Sequence, residues 1–276
     1  PLTALDPVAA RGLSGIFTDI DDTLTTEGAI TPDALQALHD LRDAGLTVIP
    51  ITGRPIGWCE RFMRDVASAW PVPAMVAENG AVAYAFLDQN GLLPAYSLRE
   101  QLSKRYQTDA AIRARNAARM QAVLARIEFE VPGAQRSQDS TGRETDIAID
   151  HSEFTHLPPA QVEQVLNIMR SEGMNASVSS IHINAWYGAH NKWQGACWVA
   201  RELLGIDLPS QLAQWLYVGD SSNDELMFQH FTHSVGVANI ARFAPQMRHL
   251  PRYVTQAERG AGFAELSQCL LQHRRT

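Results

Sequence analysis

Four short segments bring carboxylates, a hydroxyl and an ammonium group to the ends of apolar runs. The first, Phe17-Thr18-Asp19-Ile20-Asp21-Asp22-Thr23-Leu24, sets three carboxylates directly after a run that reads as a buried strand. Carboxylates so placed can attack as nucleophiles, move protons or hold a hard cation. Asp and Thr also favour turns and helix caps, so this segment alone leaves both readings open. The second, Ile51-Thr52-Gly53-Arg54-Pro55, follows a strand with a hydroxyl, a glycine and a helix opened by proline. Thr52 and the backbone N–H groups there can cradle an anion, although a plain Thr-Gly turn has the same composition. In Asn191-Lys192-Trp193 a lysine starts a helix, against the macrodipole unless an anion lies close; a surface lysine is the alternative. The last, Tyr217-Val218-Gly219-Asp220-Ser221-Ser222-Asn223-Asp224-Glu225, again sets carboxylates after a buried run. An acidic first helical turn accounts for Asp224 and Glu225 but gives Asp220 no purpose. A few carboxylates from two strand ends are enough to hold magnesium beside a phosphate.

The elements that must position these residues alternate. Gly15-Ile16-Phe17 reads as strand, Ala34/Leu35/Leu38/Leu41 as helix, Thr47 to Ile51 as strand and Trp58/Phe62/Val66 as helix. The alternation resumes with Trp193/Ala196/Ala200/Leu203, Leu216-Tyr217-Val218, Leu226/Met227, Ser234 to Val237 and Phe263/Leu266/Leu270. Such a pattern predicts a Rossmann-like, doubly wound parallel sheet of the α/β class, because parallel neighbours need crossover helices. Between the two blocks the pattern changes. A long helix-period stretch from Ile112 to Ile127 leads to a polar loop, Gly133 to Glu144. Then come a strand near Thr145–Ile149, a helix after Pro158-Pro159 and closely spaced strands around Ala176–Trp186. This predicts a core of residues 1–85 and 188–276 with an inserted α+β cap over 86–187.

Composition narrows the partners. A net charge of −7 argues against a broad nucleic-acid footprint, while leaving room for a local anion pocket. Cys59, Cys197 and Cys269 lie far apart with no paired spacing, which suits a reducing compartment and gives no zinc signature. No segment has the length to span a bilayer, and residues 1–15 lack a basic stretch followed by an apolar run, so the expectation is a cytoplasmic protein.

Taken in order, the four segments resemble the four motifs of the haloacid dehalogenase (HAD) superfamily: DxDxT at Asp19–Thr23, the strand-end Thr52, Lys192, and GDxxND at Gly219–Asp224. The insertion, TGR at Thr52–Arg54, Glu78-Asn79-Gly80-Ala81 and Gly236-Val237-Ala238-Asn239 are similar to subfamily IIB, the branch of Cof-type, sucrose-phosphate and mannosyl-3-phosphoglycerate phosphatases. The resemblance implies a phosphatase acting on a small phosphorylated metabolite such as a sugar phosphate or a glycosyl phosphoglycerate. Asp19 would form an aspartyl phosphate, Asp21 would carry protons, and Thr52 and Lys192 would bind the phosphoryl group. The implied metal is Mg2+, at Asp19, Asp21 through its main-chain carbonyl, and Asp220, with Asp224 and Asn223 ordering its surroundings. Asp22 departs from the pattern, since many relatives have glycine there.

Specificity in such an enzyme is expected from the cap. Arg136 and Arg143 suit anions and Asp146 suits sugar hydroxyls, although a solvated loop would look the same. Gly53 and Asn223 are also expected around the substrate, and Glu78, Asn79 and Arg54, where core meets cap, are weaker candidates for the same role. A phosphotransferase of the phosphomannomutase type shares this chemistry, and a catalytically silent sugar-phosphate-binding module could share the fold. Such modules usually lose motif carboxylates, and none is missing. A dehalogenase would leave Asp21, Asp220 and Asp224 without a role, and no G-x-G-x-x-G follows the first strand to suggest a dinucleotide. Oligomeric state is not legible in these residues.

Overall fold

A computed structural model describes residues 1–65, 69–88, 90–93 and 102–275 of the chain. Helix α1 (Pro7–Gly12), capped by Asp6, leads into strand β1 (Gly15–Thr18), whose four residues are all buried. After the acidic loop come a small hairpin, β2 (Thr25–Thr26) and β3 (Ala29–Ile30), then helix α2 (Pro32–Asp43), strand β4 (Thr47–Pro50) and helix α3 (Ile56–Arg64). Val66, read from sequence as an apolar position of that last helix, lies outside the described residues. Strands β5 (Ala74–Ala77), β6 (Val82–Phe86) and β7 (Leu102–Tyr106) follow.

A second unit then begins, with helix α4 (Ala110–Glu130), strands β8 (Gln135–Arg136) and β9 (Ile147–Asp150), helix α5 (Pro159–Ser171), and strands β10 (Asn175–Val178) and β11 (His182–Trp186). The chain returns through helix α6 (Lys192–Leu204), strand β12 (Trp215–Gly219), helix α7 (Glu225–His230), strands β13 (His233–Gly236) and β14 (Tyr253–Val254), and helix α8 (Arg259–Arg275).

The main sheet runs β14-β13-β12-β1-β4, every pairing parallel. Its residues alternate between two cores, as a doubly covered sheet requires. Ile16, Val48, Leu216 and Val218 pack with Leu38 and Leu41 of α2 and Phe263 and Leu266 of α8. Phe17, Ile49, Trp215 and Tyr217 pack on the other face with Ala196 and Val199 of α6 and Phe228 of α7. A parallel bridge between Ile51 and Val76 joins β4 to β5, and β6 and β7 continue antiparallel. Strand β7 therefore belongs to the sheet next to the core, although the sequence reading placed it inside the insertion. The alternation breaks after Phe86, and only the pairing from Val82↔Tyr106 to Phe86↔Leu102 reveals the extra strand.

The second unit is one antiparallel sheet, β10-β11-β9-β8, under two helices. Ile147, Ile149, Ile183 and Ala185 face the apolar stripes of α4 (Met120, Leu124, Ile127) and α5 (Val165, Met169). The period of two then puts His182, Asn184 and Trp186 on the opposite face, with Ser177 and Asn175 as cross-strand partners of Asn184 and Trp186. These polar residues of β11 are nevertheless buried, because this face lies against the carboxyl edge of the main sheet.

Candidate active site

Strand β1 lies between β12 and β4, so the chain connections leave it in opposite directions, and a crevice opens at the carboxyl ends of these strands. Asp19 follows β1, Asp220 follows β12, and Thr52 lies just beyond β4. The four segments singled out by sequence thus meet at one edge.

Lys192 is the first residue of α6, whose N-cap Asn191 accepts from the Gln194 N–H at 2.9 Å. Its Nζ lies 2.7 Å from Asp19 Oδ1 and 2.7 Å from Asp224 Oδ1, and all three side chains are buried. Burial opposes the lysine charge, but Asp19 and Asp224 more than offset it and hold the ammonium above its ordinary pKa. Asp224 is saturated. Its Oδ1 also accepts from the Tyr217 hydroxyl, and its Oδ2 accepts from the N–H groups of Asp220 (2.9 Å) and Ser221 (3.2 Å). Glycine is required at 219, because a Cβ there would strike the Asp224 carboxylate.

Asp220 is the opposite case. Asn239 Nδ2 donates to its Oδ2 at 3.1 Å, while its Oδ1 is buried with no hydrogen-bond partner. Burial pushes this carboxyl well above the usual range, and Asp19, Asp224 and Asp22 push it further. Burial likewise raises Asp19 to about 7, opposed by Lys192 and assisted by Asp224 and Asp21. Oxygens of Asp19, Asp220 and Asp224 lie within 4.8 Å of one another. Such a set of hard, mutually repelling donors suits a divalent cation such as magnesium. Since all the acceptor capacity of Asp224 is taken, the oxygens that fit a cation are those of Asp19 and Asp220.

Asp22 adopts a left-handed backbone (φ 54°), which explains how it can stand where glycine is expected. Its carboxylate meets Arg259 Nε at 3.1 Å, its N–H donates to Thr25 Oγ1, and its carbonyl accepts from Asn239. Arg259 thereby offsets part of the extra charge, while Asp220 still feels the rest.

Thr52 is fully buried; its Oγ1 accepts from Arg54 N–H at 3.0 Å and its carbonyl from Asn79 N–H at 2.9 Å. Asn79 has φ 54° and sits beside Lys192 because Gly80 and Gly195 let the two segments touch. A Cβ on Gly80 would lie 2.8 Å from the Gly195 Cα. Asn223 accepts from Ser221 Oγ at 2.8 Å and lines the same cleft as Lys192.

Arg54 joins the two units. It contacts both oxygens of Asp21 at 2.9–3.0 Å, and reaches Glu153 at 2.8 Å and Asp139 at 3.2 Å across the crevice. Glu153 is seated by Asp150, which accepts four consecutive N–H groups from Ser152 to Thr155, and it also meets His182 Nε2 at 2.8 Å. Arg143 donates to the Gly53 carbonyl and to both Asp146 oxygens at 2.9 Å, and Asn184 bridges the same two partners. Arg143 and Asp146, the candidates for substrate contact, clamp the turn after β4. Glu78 does similar work, accepting from Ile56, Glu144 and Thr145. Arg136 stays out of the cluster: its exposed guanidinium is taken by Glu128 at 2.7 and 2.8 Å.

Sequence reasoning did not single out Tyr217, Asn239, Asp139, Glu153, His182 or Asn184 as site residues. Tyr217 and Asn239 lie inside quoted motifs. The polar alternation of His182-Ile183-Asn184-Ala185-Trp186 was the one available signal for a buried polar face. Cys59, Cys197 and Cys269 are free thiols, and among the described residues no helix is long and apolar enough to cross a membrane.

Residues 16–108 match the family described as haloacid dehalogenase-like hydrolase. Similar folds occur in the sucrose-phosphatase of Synechocystis in complex with sucrose and phosphate (TM-score 0.64, 17% identity, covering 94% of this chain and 98% of that one). They occur also in a HAD/COF-like hydrolase from Plasmodium vivax (0.68, 17%, 97% and 99%) and in the C-terminal domain of trehalose-6-phosphate phosphatase from C. albicans (0.65, 14%, 96% and 96%).

Proposed function

We propose that this chain is a haloacid dehalogenase-like hydrolase and, more closely, a magnesium-dependent phosphatase of small phosphorylated metabolites, a reading that its matched segment and its fold support. The observation that carries the reading is the buried arrangement in which Lys192 bridges Asp19 and Asp224 beside the unpartnered oxygen of Asp220. A carboxylate nucleophile meets a phosphate dianion only where positive charge compensates both. Lys192 supplies one such charge. Magnesium, held by the Asp19 and Asp220 carboxylates and the Asp21 main-chain carbonyl, would supply the rest by neutralising charge on the phosphoryl oxygens.

In the first half-reaction an Asp19 carboxylate oxygen attacks phosphorus in line, and the bond to the ester oxygen breaks. Asp21, two residues on, gives its proton to that departing oxygen, a role for which its carboxyl must leave the ion pair with Arg54 that holds both its oxygens in this structure. In the second, a water oxygen attacks the aspartyl phosphate, Asp21 takes the water proton, and the Asp19 carboxylate is released. The Thr52 hydroxyl and the Gly53 N–H bind phosphoryl oxygens, and Asp224 keeps Lys192 aimed at Asp19. The unit between β7 and α6 acts as the cap, the polar face of its sheet closing over the crevice and excluding water. Phosphatase neighbours acting on sucrose phosphate and trehalose 6-phosphate support a sugar-like substrate. Three free cysteines suit a cytoplasmic setting.

The test is inorganic phosphate release from a panel of sugar phosphates, glycosyl phosphoglycerates and an aryl phosphate, with and without magnesium, for wild type and Asp19→Asn. Metal-dependent release lost in the variant is the expected result. Release that persists in Asp19→Asn, or no release from any compound, overturns the proposal.

A further inference from the structure

Asp21 cannot carry a proton to the substrate while Arg54 holds it, so whatever competes for that guanidinium bears on the reaction. Arg54 is 5% exposed and meets three carboxylates, one from the core and two from the cap. On one edge its Nε donates to both oxygens of Asp21 at 3.0 Å, and its Nη2 donates to Oδ1 at 2.9 Å. On the other, Nη2 donates to Glu153 Oε1 at 2.8 Å, while Nη1 reaches Asp139 Oδ2 at 3.2 Å and Glu153 Oε2 at 3.4 Å. Nη2 is thus shared between the core acid and Glu153. Asp139 is the lesser rival, because Arg143 already holds its Oδ1 at 3.1 Å. Glu153 is built to stay in place: Asp150 accepts the N–H groups of residues 152–155 and fixes the turn, and His182 Nε2 stands 2.8 Å from Glu153 Oε2. The Trp58 ring, 5.1 Å from the guanidinium carbon, offers a flat surface over which the planar group can turn.

We propose that Glu153 is a positioning residue that frees the general acid: with the cap seated it takes over the Arg54 charge, and Asp21 can turn to the leaving-group oxygen without stranding a buried cation. The inference rests on the phosphatase reading and adds a cap residue to its proton-transfer step. The physical basis is the cost of an uncompensated charge. Stripping a buried guanidinium of its counter-ion is strongly unfavourable, whereas passing it from one carboxylate to another is not. With Asp21 as its one counter-ion, Arg54 would stay closed on the acid. With Glu153 beside it, both Nη atoms already face the two oxygens of a second carboxylate, so a small turn of the guanidinium completes a bidentate pair as Asp21 departs. Burial opposes the Glu153 charge, but His182 and Arg54 hold the carboxyl below its usual range, so it stands ready as an anion. The arrangement also ties chemistry to closure. Glu153 moves with the cap, so lifting the cap removes the competitor and leaves Arg54 locked on Asp21 while the crevice is open to water.

The experiment is kcat/KM, with magnesium, for phosphate monoesters running from dinitrophenyl phosphate through simple aryl to alkyl phosphates, in wild type, Glu153→Gln, Arg54→Gln and the double variant. This constant covers the steps up to departure of the ester oxygen. An activated phenolate leaves unprotonated, whereas an alkoxide needs the acid, and a general acid contributes about 10²–10⁴-fold. Glu153→Gln should therefore lose about 10-fold or more on alkyl phosphates but less than about 3-fold on the dinitrophenyl ester, a steeper dependence on leaving-group pKa than in wild type. Turnover of the activated ester also shows that the variant folds. Once Arg54 is gone Glu153 has nothing to relieve, so on alkyl phosphates Glu153→Gln should add less than about 2-fold to the loss in Arg54→Gln. If Arg54→Gln does not fold, the leaving-group dependence of Glu153→Gln decides alone. A uniform loss across the series marks a merely structural residue and overturns the inference, as do a wild-type profile in Glu153→Gln or full additivity of the two substitutions. Metal-dependent hydrolysis of the dinitrophenyl ester by wild type, with Glu153→Gln unchanged throughout, sinks this inference alone. No turnover of any ester by wild type sinks the phosphatase reading, and the role of Glu153 falls with it.

Discussion

Replacing Asp224 by asparagine should cost the fold far more than the same change at Asp220, although both are buried carboxylates of one cluster. Asp224 accepts from four donors, two on each oxygen. Whichever way an asparagine is turned, its NH2 group faces two of them, and Lys192 loses one of its two counter-charges. Breaking a buried ion pair and orphaning two donors puts the loss at roughly 3–5 kcal/mol. At Asp220, Oδ1 has no donor to lose, and the Asn239 bond to Oδ2 survives in an amide. The ionised Asp220 is itself a burden, as its upward-shifted pKa indicates. Without metal, Asp220→Asn should be within about 1 kcal/mol of wild type or more stable, because a neutral group replaces a repelled charge. Magnesium reverses the order for Asp220: at a hundred times its dissociation constant it stabilises wild type by about 2.7 kcal/mol, and this gain should vanish in the variant. Urea unfolding in chelator and in magnesium measures all of these. An Asp224→Asn protein within about 1 kcal/mol of wild type, or an Asp220→Asn protein equally damaged in chelator, would refute the division of roles, since each contradicts the estimated cost.

Two pH dependences follow from groups outside the metal cluster. Asp139 lies between Arg143 and Arg54; burial opposes its charge, but Arg143, His182 and Arg54 bring the carboxyl down to about 2. A depressed carboxyl stabilises the fold above its ordinary pKa and loses that contribution as pH falls through about 2. Asp139→Asn should therefore be about 2 kcal/mol less stable at neutral pH by denaturant unfolding, with the gap narrowing below about pH 4; a constant gap contradicts the ionic role. His190 is held neutral by burial, its pKa down to about 4, so the unfolded chain takes up a proton that the folded chain refuses. Between about pH 7.5 and 5 wild type should lose about 2 kcal/mol more stability than His190→Asn, and equal slopes would exclude it.

The sequence carried the core site because its chemistry is local. Asp19, Thr52 and Asp220 each lie one or two residues beyond a strand, and a parallel sheet brings such ends together whatever the details of packing. The role of Tyr217 was hidden because a tyrosine in an apolar strand reads as core; only its hydroxyl, reaching Asp224 within a fully buried cluster, gives it a second role. The crossing between the units was illegible for another reason. Arg54 meets Asp139 and Glu153 from 85 and 99 residues away, and no local pattern encodes such a pairing. Arg143 and Arg136 looked alike in the polar loop, yet one is 2% exposed and clamps the Gly53 carbonyl while the other pairs with Glu128 at the surface. Residue type announced a preference for anions; the fold decided which carboxylates met it. Asp22 shows the reverse, an apparent departure from pattern that Arg259 and a left-handed backbone accommodate.

The central claim is that Asp19 becomes phosphorylated, and trapping tests it most directly. Enzyme turning over its best phosphate ester with magnesium is quenched in acid and reduced with borohydride, which converts an aspartyl phosphate to homoserine, and the modified position is found by peptide mass spectrometry. The account predicts homoserine at residue 19, absent without substrate and absent in Asp19→Asn. Homoserine at another carboxylate, or steady turnover with residue 19 never modified, would contradict it.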